Sequence, residues 1–190
     1  ANELGIDVII TDHHIPLSKG GGESASRGLL TTLPAEDSGT PFTNTPPASE
    51  CSAPLARGDG DFLPSAYAIL NPKQPDCAYP EKMLCGSGVV FKLVQGLLAE
   101  IRRQPTTYNL QLTTGWEKWL LDMVGLATLS DMVPLTGENR VFAYYGLKVL
   151  KKSPRKGLNE LLSVLKLNRA DLTEEDIGFS ISPRINAASR

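Results

Sequence analysis

The sequence predicts an α/β fold in which part of a sheet passes into a run of helices. Three observations carry this. Ile6-Asp7-Val8-Ile9-Ile10 is a β-branched, apolar stretch of strand length and reads as a buried strand. Ala66-Tyr67-Ala68-Ile69-Leu70 is a second short strand, closed by Asn71-Pro72. From Gly88 onward the apolar residues recur at helical spacing. Strands followed by several helices suit an α/β sheet leading into a helical region.

Taken in order, residues 1–5 read as the tail of a helix stopped by Gly5, and the first strand ends at Thr11-Asp12. Residues 17–62 lose all periodicity: Gly20-Gly21-Gly22, Pro46-Pro47 and many Ser, Thr and Ala residues predict a disordered surface insertion. After the second strand, Val90, Leu93, Val94, Leu97, Leu98 and Ile101 form one apolar stripe on a helix. A second helix places Trp116, Leu120, Met123, Val124 and Ala127 on one face and ends near Ser130-Asp131, before Pro134. A third runs from about Glu138, with Phe142, Tyr145, Gly146 and Val149 on its apolar side. Ser153-Pro154 reads as the N-cap and first-turn proline of a fourth, carrying Leu158, Leu161, Leu162 and Leu165. Thr173 and Asp176 resemble a capping box, with Asp in place of Glu, for a short last helix leading into Ser182-Pro183-Arg184. These elements divide the chain at about residue 135, with an α/β part before it and a helical part from 136 to 190.

Composition sets bounds on function. The 190 residues carry a formal net charge of −2, with 41% hydrophobic and 21% charged residues. That balance exerts no global pull on a polyanion, so nucleic-acid contacts must be local. Three cysteines, without zinc-like spacing, fit a reducing cytoplasm better than a disulfide scaffold. No apolar run approaches the roughly 20 residues that span a bilayer. The abrupt opening on Ala1 and the stop at Arg190 read as cut points in a longer protein.

Chemistry concentrates at Asp12-His13-His14. The only two histidines of the chain lie side by side after a carboxylate, at the carboxyl end of a strand, where open α/β sheets bind ligands. Imidazole is a ready ligand for a divalent ion, and a neighbouring carboxylate fixes its tautomer. A solvated polar turn is the competing reading. Asp131 follows the small apolar run Leu126-Ala127-Thr128-Leu129 and is either a helix-end carboxylate or a metal ligand. Arg184, Asn186 and Arg190 stand among small residues that let backbone approach a phosphate, and Asn139-Arg140 adds a further pair. Lys148, Lys151, Lys152, Arg155 and Lys156 form the one basic cluster, either a phosphate track or a solvated helix end. Gly86-Ser87-Gly88 reads first as a tight turn, and alternatively as an anion site at a helix start.

The order of these blocks resembles the DHH phosphoesterases, and within them the RecJ-type nucleases. The likeness rests on Gly5 to His14, on Leu63 to Lys73, on Cys85 to Leu93, on Leu121 to Leu135 continuing through Arg140, and on Pro183 to Arg190. It covers all but about residues 17–62. The resemblance implies 5′-to-3′ exonuclease action on single-stranded DNA in repair and recombination, in the cytoplasm. By it, the sheet is parallel and flanked by helices, and His13 and Asp131 ligate a catalytic Mn²⁺ or Mg²⁺, two ions being the family pattern, while His14 lies against the scissile phosphate and Asp12 orients the pair. Arg140, Arg184, Asn186 and Arg190 would hold the DNA. Single-strand-binding protein and a RecQ-type helicase are the partners it suggests. The family's first aspartate motifs and its substrate-binding domain lie outside this sequence, which implies that the piece alone is inactive. Ser189 replaces a usual Gly. A DHH oligoribonuclease or cyclic-dinucleotide phosphodiesterase, and a catalytically silent nucleic-acid-binding scaffold, are the alternatives.

Overall fold

A computed structural model describes residues 7–15, 66–103 and 113–188. Two short strands, β1 (Ile9–Thr11) and β2 (Ala68–Leu70), pair in parallel with Ile9 opposite Ala68 and Thr11 opposite Leu70. The Asp12 amide donates to the Leu70 carbonyl and the Tyr67 amide to the Val8 carbonyl, which extends the ladder at both ends. Helices α1 (Gly86–Arg103), α2 (Leu121–Ser130), α3 (Gly137–Leu150), α4 (Lys156–Val164) and α5 (Ser182–Ala188) follow. The expected α/β order is therefore present. The insertion at 17–62, the helix tail at 1–5 and Arg190 lie outside the described residues.

Two apolar clusters hold the molecule. Leu70, Tyr79, Leu84, Val89, Phe91, Val124 and Phe142 join β2, α1, α2 and α3, with Phe91 and Phe142 edge to face at 5.5 Å. Leu150, Leu158, Leu162, Leu172, Ile177 and Ile181 make a second cluster around α4. Between them α2 and α3 cross at two glycines. A Cβ on Gly125 would stand 2.6 Å from the Gly146 Cα and 2.9 Å from the Phe142 carbonyl oxygen, so only glycine permits this approach.

Several local expectations are corrected. Ile9 is 49% exposed and Ile10 only partly covered, so β1 is not a buried strand. Helix α1 starts at Gly86, so the Gly86-Ser87-Gly88 run is its first turn and not a tight turn before it. Its buried side carries Val89, Phe91, Lys92 and Leu98, whereas Val90 and Leu97 of the expected stripe face outward. Lys92 can be interior because its ammonium meets the Glu138 carboxylate at 2.6 Å, and Glu138 also accepts from the Tyr79 hydroxyl. Trp116 sits exposed on a 3₁₀ turn (Trp116–Leu120) ahead of α2, and Tyr145 is exposed on α3. Ser153 does not cap α4. That helix begins after Arg155, and the buried Ser153 hydroxyl donates instead to Asp122 at 2.6 Å. The Thr173–Asp176 capping box does form, with both reciprocal amide bonds, at 2.9 and 3.3 Å. It opens a π-helical segment, Asp176–Ile181, which runs on into α5, so Ser182 to Ala188 is helical.

Candidate active site

Asp12, His13 and His14 leave the carboxyl end of β1 as a turn. The Asp12 Oδ1 accepts from the His13 amide at 2.8 Å and the His14 amide at 3.3 Å, and lies 2.7 Å from His14 Nδ1. Burial alone would raise the Asp12 carboxyl, but the His14 side chain and the two amides outweigh it and hold it below its ordinary value. An ionised carboxylate only accepts, so Nδ1 of His14 carries the hydrogen, and in the neutral ring Nε2 is left as the free lone pair. The ring itself is largely exposed. The His13 and His14 rings lie 4.4 Å apart, tilted by 44°.

The turn is anchored from β2. Asn71, buried and one residue past the strand, donates from Nδ2 to the His14 carbonyl at 2.8 Å while its Oδ1 accepts from the Lys73 amide at 3.0 Å. Sequence reasoning treated Asn71 as a strand stop only. The available signal was register: Thr11 faces Leu70, so an asparagine directly after β2 falls beside the residue directly after β1.

Helix α1 approaches from the other side. A Cβ on Gly86 would sit 3.3 Å from the His13 ring, so a small residue there gives His13 its place against the first helical turn. The adjacent Cys85 thiol lies 3.4 Å from Thr128 Oγ1 on α2. Thr128 gives its own hydrogen to the Val124 carbonyl at 2.7 Å, so the thiol is the donor. This contact ties the His13 side of the molecule to α2, which ends one turn later at Asp131.

Asp131 is the C-cap of α2 and is exposed, with its amide bonded to the Ala127 carbonyl at 2.8 Å. Among the described residues no three His, Cys, Asp or Glu side chains converge as a metal-binding group. Arg140 stands exposed on the first turns of α3, and Arg184 on α5 donates to the Ser180 carbonyl at 2.6 Å. Asn186 is on α5 also. At the opposite end of α2 from Asp131, a buried network escaped sequence reasoning altogether. Asp122, 2% exposed, accepts from Ser153, from Arg155 Nε at 2.8 Å and Nη2 at 3.1 Å, and from the Met123 amide at 2.7 Å. Burial works against the charge, yet Arg155 and Ser153 hold the carboxyl below its ordinary value.

The chain is 34% identical over 190 residues to the single-stranded-DNA-specific exonuclease RecJ of Bacillus subtilis, covering all of this chain and 17% of that protein. It is 32% identical over 191 residues to the RecJ of Escherichia coli, covering all of this chain and 26% of that one. The RecJ of Haemophilus influenzae is 39% identical over 189 residues, 99% of this chain and 25% of the relative. The chain thus spans about a quarter or less of the length of these curated relatives. The crystal structure of Thermus thermophilus RecJ in complex with Mn²⁺ superposes with a TM-score of 0.51 and 27% identity, over 68% of this chain and 18% of that one. No protein-family model matches. Fold and strand-end Asp-His-His together define the class, an α/β fragment of the DHH phosphoesterase kind. Within that class the chain is a RecJ-type segment.

Proposed function

We propose that the protein to which this segment belongs hydrolyses phosphodiester bonds of single-stranded DNA, as a metal-dependent exonuclease of repair and recombination acting 5′ to 3′ in the cytoplasm. The observation that carries this reading is the Asp12-His13-His14 turn at the carboxyl end of a parallel strand, in a chain related along its full length to single-strand-specific exonucleases.

Imidazole and carboxylate are the donors a divalent ion takes, so His13 and Asp131 fit such a metal in kind; with no third ligand converging among the described residues, they would supply only part of its shell. Bound Mn²⁺ or Mg²⁺, in a two-ion site, would polarise the phosphoryl group and lower the pKa of water. The residues of this chain do the rest. Asp12 holds the His14 ring through Nδ1, so that Nε2–H of the charged ring would donate to a phosphate oxygen, and Asn71 holds the backbone that carries that ring. Arg140, Arg184, Asn186 and Arg190 would grip the DNA backbone. Residues 1–135 would form part of the phosphoesterase domain and 136–190 its helical continuation. Single-strand-binding protein and a RecQ-type helicase are the partners this reading suggests.

With an incomplete carboxylate set, the 190-residue chain alone should release no nucleotides from labelled single strands in Mn²⁺, whereas the whole protein should. His13→Ala or Asp131→Ala in the whole protein should lower turnover at least about 100-fold. Unchanged turnover in both variants would remove the proposed roles.

A further inference from the structure

The outward face of α3 carries an unusual combination. Tyr144 and Tyr145 are 56% and 51% exposed and meet edge to face, with ring centres 5.0 Å apart. They border an open groove of about 500 Å³, together with Leu129, Leu135, Arg140 and Glu174. Arg140, Tyr144 and Lys148 follow each other at i, i+4 and i+8, so they form one stripe along the helix. Lys152, exposed, continues the same row just past the helix end.

The geometry at Lys148 decides what the rings can do. Its ammonium donates to the Tyr144 hydroxyl at 2.7 Å and lies over the Tyr144 ring, 4.1 Å from its centre, and 5.8 Å from the centre of the Tyr145 ring. With both tyrosines about half exposed, ring surface still meets water beside that positive charge. Water-exposed tyrosines interleaved with Arg and Lys suit a ligand with flat aromatic groups at intervals along a polyanion. In the groove Arg140 and Glu174 offset each other, and Lys148 and Lys152 farther along the helix add the positive charge that suits phosphates.

We propose that the Arg140–Tyr144–Tyr145–Lys148 face of α3 is a stacking platform for single-stranded nucleic acid. Bases lie on the two tyrosine rings, and Arg140, Lys148 and Lys152 meet the phosphates. The platform extends the path of the strand beyond the Asp12-His13-His14 turn, so it rests on the reading of the substrate given above. It is independent of the metal and of hydrolysis.

The test uses the 190-residue chain, a fluorescein-labelled oligothymidylate, EDTA and low salt, with fluorescence anisotropy as the readout. Tyr144→Ala and Tyr145→Ala should each weaken binding roughly tenfold, and Tyr144→Phe should bind like the parent because stacking needs the ring and not the hydroxyl. Lys148→Ala should reduce the dependence of log affinity on log salt by roughly one. Tyr67→Ala, an exposed tyrosine before β2, should change nothing. Circular dichroism of each variant separates lost binding from lost fold. Parent-like affinity in both tyrosine-to-alanine variants, or no binding by the parent chain at low salt, overturns the platform. A whole protein that binds through these tyrosines but never hydrolyses DNA sinks the proposed function and leaves the platform standing.

Discussion

The crossing of α2 and α3 makes a sharp stability prediction through Gly125→Ala. The added methyl would lie 2.6 Å from the Gly146 Cα and 2.9 Å from the Phe142 carbonyl oxygen, and both obstacles are backbone. Ordinary carbon contacts begin near 3.5 Å, so the helices must part by about 1 Å at the point where both apolar clusters meet. Overpacking of this kind costs about 1–3 kcal/mol. Alanine recovers up to about 1 kcal/mol of helix propensity relative to glycine. The net loss should be about 1–2 kcal/mol, or roughly 2–8 °C in Tm for a chain of this size. Gly96→Ala in α1 is the internal control, because nothing lies within 4 Å of its Cβ; it should be neutral or stabilising by up to about 1 kcal/mol. Urea unfolding followed by circular dichroism reads both. A Gly125→Ala midpoint at or above the parent, or an equal loss in Gly96→Ala, would refute the steric argument.

Two further outcomes follow from the buried charges. Lys92→Met strands Glu138 beside Tyr79 in the core and should cost about 3–5 kcal/mol in urea unfolding, whereas Lys92→Met paired with Glu138→Leu should recover much of it; a single variant as stable as the double one would count against the pair. The Asp122 carboxyl is held below its ordinary value in the folded chain, so its contribution is complete above the unfolded value near 3.8 and fades as pH falls through the lower, folded value. Acid unfolding of Asp122→Asn should accordingly be less steep below about pH 4 than that of the parent. Superimposable acid curves would remove Asp122 from the account.

Much of the framework was legible in the residues. The Thr173–Asp176 box formed as expected because its partners lie within one turn, where sequence spacing is spatial proximity. The end of α2 near Ser130 was readable for the same kind of reason, local chain chemistry, whereas the parallel pairing of two strands far apart in the chain was expected from the family resemblance. Ser153 was misread because the same Ser-Pro pattern that suggests a cap also offers a hydroxyl to Asp122, 31 residues earlier, and a buried carboxylate is the stronger claimant. The α1 stripe was rotated because periodicity penalises a lysine, and nothing near Lys92 announces that Glu138, 46 residues on, neutralises it.

For the Asp12-His13-His14 turn the division is the same. The sequence by itself determined that a carboxylate and two imidazoles stand together at a strand end, since they are consecutive residues. Only the tertiary structure decided which of them are held and by what. Asn71 clamps the His14 carbonyl from the neighbouring strand, Gly86 leaves room for the His13 ring, and Cys85 ties that corner to the helix ending at Asp131. Each of these depends on where one element lies against another, which is fixed by packing across the whole chain and not by the spacing of residues along it.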